Sequence, residues 1–269
     1  MEDELKAVVS LLVQNRWPFR LHATYNEPIT RFLNVLEEIN REIPFNDLRW
    51  LFDHAETISP HNIERVKALD GGIAIQDRMA FQGEHFLARY GKQMTEQSPP
   101  ITRMVEAGLP VGAGTDATRV ASYNPWVALF WLITGKTVGG TSLYPQSNCL
   151  SRGEALKLYT IGSAWFSGEQ DQKGSIEVGK LADLAVLSAD YFSVPDEEIK
   201  GLDSVLTIVG GKVVYGNGEF KHLDPPPLPI SPDWAPVKVF DGYYRSNSHS
   251  SMHTQACIDT SLNYQHTHR

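Results

Sequence analysis

The chain has 269 residues, enough for one large or two modest domains, and its 42% hydrophobic and 21% charged content is that of a globular protein. A formal net charge of −8 argues against a surface for nucleic acid or anionic membrane. Cys149 and Cys257 form no C-x-x-C pair, no apolar run approaches the roughly 18 residues of a membrane span, and MEDELKAVV lacks a signal-peptide pattern, so a soluble cytoplasmic protein is expected.

Leu5, Val8, Val9, Leu12 and Val13 recur at helical spacing and predict a helix over 3–15. A short apolar run, WPFRLHA (17–23), follows as a strand ending at His22. Asn26 is expected to cap the next helix, with Pro28 in its first turn and Ile29, Phe32, Leu33, Leu36 and Ile39 along one face. LRWLFDHA (48–55) is a second strand. A helix over 60–70 follows, bracketed by Ser59 as N-cap, Pro60 as first helical residue and Gly71-Gly72 as stop. IAIQ (73–76) is a third strand, followed by a loop and a helix over 99–107. LPVGAGTDA (109–117) is a fourth strand with its loop. Helices are predicted near 124–135 and 151–161, the second opened by a Ser151/Glu154 capping box. From 173 to 220 short Val/Ile/Leu runs and Gly-rich turns describe a small β unit, with Gly210-Gly211 turning a hairpin. Residues 221–269 read as an extended or disordered tail. The expected domains are therefore 1–172, 173–220 and 221–269.

Near-continuous apolar strands alternating with helices predict a parallel sheet, an α/β fold. The strand ends carry His22, His54, Gln76-Asp77 and Asp116, and α/β folds put their chemistry at the carboxyl ends of strands. Two imidazoles and a carboxylate suit a divalent metal such as zinc. A metal lowers the pKa of bound water, and a neighbouring aspartate can take the remaining proton. Taken singly, His54 also reads as a hydrogen-bonded strand-end histidine, and Asp116 as a helix-cap or turn aspartate. Asp53 and Glu56 are expected to be solvated or to stand behind the ligands, and Asp77 to be a loop residue. GKT (135–137) lacks the glycine spacing and preceding strand of a phosphate loop, and no G-x-S-x-G or H-E-x-x-H occurs. HTH (266–268) lies in the polar tail and is not expected to bind metal in the fold.

RLHATYNEPITRFLNVLEEI, FDHAETISPHNIERVKAL, ITRMVEAGLPVGAGTDA and SRGEALKLYTIGSAWFSGEQDQKGSIEVGKLADLAVLSAD follow one another over about residues 5–220. In that order they resemble the amidohydrolase superfamily, specifically the branch that includes N-substituted formamide deformylases. The resemblance implies a (β/α)8 TIM-type barrel with a small β-sandwich, of which this chain would be the C-terminal half. It implies that His22 is the metal-binding histidine of the fifth strand and His54 that of the sixth. Asp116 would be the eighth-strand aspartate, both metal ligand and general base, and Gln76 would contact substrate. The implied cofactor is zinc, one or two ions, and the implied substrate a small amide or formamide cleaved at its C–N bond by metal-activated water.

The family's first-strand H-x-H pair has no counterpart before residue 17. Four strands of a barrel would leave two unpaired edges, so a homo-oligomer or a complementing N-terminal half is expected as partner. The alternative is an inactive fragment, or an interaction protein with a residual metal site.

Overall fold

The computed structural model describes residues 2–118 and 120–226. Residues 2–223 belong to one compact unit. The HTH motif and Cys257 lie outside the described residues.

This unit begins with α1 (Glu2–Gln14), β1 (Phe19–Ala23), α2 (Asn26–Glu42), β2 (Trp50–His54), α3 (Pro60–Ala68), β3 (Gly72–Gln76), α4 (Arg78–Thr95), α5 (Ile101–Glu106) and β4 (Val111–Gly114). The four strands make one parallel sheet in the order β1-β2-β3-β4. This α/β architecture is the one expected, and it sets every strand's carboxyl end along one edge. Helix α2 shows why it forms where it does. Ile29, Leu33, Leu36 and Ile39 are fully buried on one stripe, while Glu38 and Arg41 face water on the other. Burying one such leucine contributes roughly 2 kcal/mol.

Under the helices sits an aromatic cluster. Phe19 and Trp50 stack with centroids 6.1 Å apart, and Trp50 meets Phe52 edge-on at 5.3 Å. Trp50 Nε1 donates to the Leu69 carbonyl (2.8 Å), which satisfies the indole inside the core. Gly71, expected as a helix stop, has a further reason to be glycine: a Cβ there would fall 2.3 Å from the Trp50 ring.

Three local expectations are corrected. Asn26 is the first residue of α2 rather than its cap; Tyr25 holds the cap position without a side-chain bond. The Asn26 amide instead ties α2 to the next unit, its Oδ1 accepting from Ser59 N (2.8 Å) and Asn62 Nδ2 (2.8 Å). Ser59 does cap α3, accepting from Asn62 N at 3.2 Å. The loop expected after residue 76 is mostly the helix α4, kinked at Gly91 (φ +78°), with Met79, Ala80, Gly83 and Phe86 buried. The helix expected over 151–161 is three pieces: α7 (Arg152–Lys157), a π turn (Leu158–Gly162) and α8 (Ser163–Phe166). Its capping box is present as expected.

Before these comes α6 (Pro125–Thr134), capped by Asn124 and ended by Gly135 in the left-handed conformation, so GKT is a helix end. After them β5 (Leu184–Leu187), β6 (Ser204–Val209) and β7 (Lys212–Gly216) form a three-stranded antiparallel sheet in that order. Gly210 and Gly211, both at positive φ, turn the expected hairpin between β6 and β7. A 3-10 turn at Gly218–Leu223 replaces the start of the expected tail.

Candidate active site

The carboxyl edge of the parallel sheet borders a cleft of about 380 Å³ whose walls include Arg20, His22, Asp53, His54, Gln76 and Asp116. All four residues expected from the sequence therefore share one cavity. Each arrives by a different local device.

His22 comes from β1, one residue before its end, and is exposed. His54 closes β2 and is buried. Its backbone stands at φ +79°, which side chains rarely tolerate, and Ala55 N reaches back to the Asp53 carbonyl (3.2 Å) in a three-residue turn centred on His54. Successive residues of a regular strand face opposite sides of a sheet. The turn at His54 breaks that alternation, so Asp53 and His54 both face the cleft. Asp116 also sits at positive φ (+50°), two residues beyond β4, and is exposed. Backbone strain at two of the site positions is the kind that folds retain where geometry matters.

His54 Nε2 lies 2.9 Å from His22 Nδ1. Burial holds the His54 imidazole below its ordinary pKa, and the neighbouring His22 pushes in the same direction, while Asp116, Asp53 and Glu56 oppose it. A neutral imidazole is the form that binds metal. His54 Nδ1 is buried without a partner among the described residues. Two ring nitrogens converging at this distance, with carboxylates on the same cleft, fit part of a metal shell. They do not complete one: among the described residues no three His, Cys, Asp or Glu side chains come together as a metal-binding group.

Behind the histidines, Arg20 grips Asp53 through both oxygens, with Nε to Oδ2 at 2.8 Å. Arg20 was not anticipated, although its place two residues before His22 puts it on the same strand face. Ser163 also lines the cleft, its hydroxyl donating to the Ala113 carbonyl (3.0 Å).

Asp77 corrects the sequence reading, while Glu56 takes the second of its two expected places, behind the histidines. Glu56 is buried, not solvated, and receives both arms of Arg78, with Nε to Oε1 at 2.7 Å. Gln76 Nε2 donates weakly to the same carboxylate at 3.4 Å, and Gln76 Oε1 stays without a partner among the described residues. Asp77 occupies the cap position of α4 without capping it, and both its carboxylate oxygens are buried and unpaired among the described residues. Burial raises its pKa to about 7. The Tyr159 hydroxyl, carried on the π turn, is likewise buried without a partner among the described residues.

The chain belongs to the amidohydrolase family, whose sequence profile matches residues 1–215. It is 28% identical over 188 residues to the protein YtcJ of Bacillus subtilis (strain 168), covering 68% of this chain and 35% of that one. It is 28% identical over 197 residues to the N-substituted formamide deformylase of Arthrobacter pascens, covering 72% of this chain and 36% of that enzyme. The chain thus spans about a third of the length of these curated relatives. A solved structure of a metal-dependent hydrolase from Pyrococcus horikoshii OT3 shares the fold with a TM-score of 0.62 at 21% identity, over 73% of this chain and 39% of that one. No helix among the described residues is long and apolar enough to cross a membrane.

Proposed function

We propose that the chain carries the catalytic edge of a metal-dependent amidohydrolase that cleaves the C–N bond of an amide or formamide. In this reading its four strands are the C-terminal half of a (β/α)8 barrel, and β5 to β7 belong to a small β-sandwich. One observation carries most weight: the 2.9 Å approach of His22 Nδ1 and His54 Nε2 at the ends of adjacent parallel strands.

His22 and His54 would hold the metal, and Asp116 would add its carboxylate. Zinc, one or two ions, suits imidazole and carboxylate donors. When bound, the metal supplies Lewis acidity, acidifying water and polarising the scissile carbonyl. Asp116 then takes a proton from the attacking water and returns it to the amine nitrogen, so the amine leaves neutral. Gln76 contacts the substrate from the cleft wall.

Zinc titrated calorimetrically into the full chain, and amine release from an N-substituted formamide, test the two parts of this reading. His22→Ala and His54→Ala are expected to weaken zinc binding at least tenfold, and Asp116→Asn to abolish amine release. A wild-type chain that binds no zinc would overturn the proposal.

A second reading is favoured by the incomplete ligand cluster and by the third-length span of the relatives. The chain would be an inactive fragment or interaction protein with a residual metal site. Active catalysis would then need a complementing N-terminal half or a second copy. Zinc binding without amine release at saturating zinc points to this second reading.

A further inference from the structure

A second cavity, of about 420 Å³, opens where the start of α6 and the helix α7 meet the segment that follows β5. It shares no wall residue with the strand-end cleft. Three aromatic side chains line it, with Leu156 and Leu187 beside them and Asp190 as its one charged group. Tyr191 is buried. Its ring centroid lies 6.1 Å from that of Trp126, with the planes inclined at 50°, and 5.0 Å from that of Phe192, inclined at 75°. Mutually inclined rings form the walls of a box rather than a stack, and Phe192 stands exposed at its rim.

The carboxylate of the box is ionised. Ser193 Oγ donates to Asp190 Oδ2 (2.5 Å) and Phe192 N to Oδ1 (2.9 Å), and these bonds hold the carboxyl below its ordinary pKa. Arg152 adds to that lowering from a distance. Its guanidinium is committed elsewhere: it pairs with Asp196 Oδ1 (2.6 Å) and donates to the carbonyls of Val194 (2.6 Å) and Tyr191. Tyr191 Oη in turn donates to the Arg152 carbonyl (3.0 Å). These bonds strap residues 191–196 to the first turn of α7 and hold the box open before any ligand arrives.

We propose that this box binds the quaternary ammonium group of a small organic cation, at a site separate from the strand-end cleft. Aromatic faces attract a cation within about 6 Å of the ring centroid, and tryptophan does so most strongly. Asp190 supplies the opposite charge at the rim. An anion would meet that carboxylate with no basic side chain in the walls to offset it. A neutral apolar molecule would gain only the burial of its surface. Among cations, a primary ammonium is strongly hydrated and must trade its water for acceptors, of which the walls offer one that is charged. A quaternary ammonium has no N–H to satisfy, and its methyl groups suit the apolar walls. The assignment goes beyond the hydrolase reading and does not depend on it.

The test uses the full chain and two probes of one shape: choline, and the dimethylbutanol in which carbon replaces its nitrogen. Dissociation constants are read by ligand-observed NMR. Choline is expected to bind roughly tenfold more tightly than the alcohol, the difference being the cation's attraction to the rings and to Asp190. Phe192→Leu removes one ring while keeping an apolar side chain, and is expected to weaken choline binding about fivefold. Asp190→Asn keeps the shape, removes the charge, and is expected to weaken choline binding severalfold while leaving the alcohol unaffected. Both positions are exposed, where substitutions disturb the fold little, and thermal unfolding of each variant checks this. Equal binding of choline and the alcohol to the wild type would mean an apolar groove without cation selectivity, and overturns the proposal. Choline affinity unchanged in either variant places the cation elsewhere and overturns it too, as does a wild-type chain that binds no choline.

Discussion

His54 and Asp77 are both buried ionisable groups near one cleft, and their stabilities run in opposite directions with pH. The folded His54 has a lowered pKa, so the unfolded chain binds its proton more readily. Its contribution is complete above the unfolded value near 6.5 and is lost as pH falls through the window below it. Asp77 is the reverse. Its folded pKa of about 7 stands above the ordinary 3.8, so the folded chain holds that proton more tightly. Stability from Asp77 is present in acid and is lost as pH rises from about 4 to 7. With one pKa unit worth about 1.4 kcal/mol, the loss between pH 5 and pH 8 is on the order of 2 kcal/mol. Asp77→Asn carries no charge to bury. Urea unfolding at pH 5 and pH 8 should show the wild type losing that amount relative to the variant, with the variant the more stable at pH 8. Parallel curves for the two proteins would mean that the Asp77 carboxylate is ionised at little cost. Breaking the Glu56–Arg78 pair is a different matter. Glu56→Ala leaves the half-buried Arg78 guanidinium without its carboxylate and should cost about 1–3 kcal/mol in the same unfolding experiment.

At the scale of the element, the π turn after α7 governs how the chain closes against β4. A Cβ on Gly162 would lie 2.3 Å from the Val111 backbone carbonyl, an atom that cannot rotate away. Gly162→Ala is therefore expected to destabilise by about 1–3 kcal/mol, as overpacking does, and to lower the melting temperature. It should also loosen the Ser163 contact with the Ala113 carbonyl, because Ser163 follows directly in α8. An alanine variant with wild-type melting would show that the π turn is free to move off the strand. Elements like this one mark the limit of what the sequence discloses. The strands were legible because apolar runs stop at His22, His54 and Gln76, and α3 was legible because Ser59 and Pro60 open it. Helix α4 was hidden by Gly83 and Gly91, both poor helix formers, although Gly83 packs so closely on Leu143 that a Cβ there would fall 2.3 Å from it. The turn at His54 left no mark, since histidine carries no preference for positive φ as strong as that of glycine. Nor did the Glu56–Arg78 pair: its partners lie on different strand–helix units and meet only once the sheet has formed. The same holds for the histidine pair, whose members could be proposed from strand ends but whose facing nitrogens are a product of register.

For the whole molecule, the question is what covers the surfaces that this chain leaves open. Among the described residues β1 and β4 are the two edges of the parallel sheet, each hydrogen-bonded to one neighbouring strand. Around the small sheet, Ile176 and Val178 stand almost wholly in water, with Val209 and Val214 about half exposed. Unpaired edges and apolar side chains of this kind favour association with another polypeptide. Relatives about three times as long supply further chain that could fill this role within one molecule. Light scattering on the purified chain should therefore report a dimer or larger species, and added charge should shift it. Val178→Lys alters a fully exposed position, where substitutions change stability by no more than about 0.5 kcal/mol. It is expected to lower the associated fraction while leaving the melting temperature unchanged. A monodisperse wild-type monomer would count against any need for a partner. An associated species indifferent to Val178→Lys would instead direct attention to the β1 edge, where Arg20 stands.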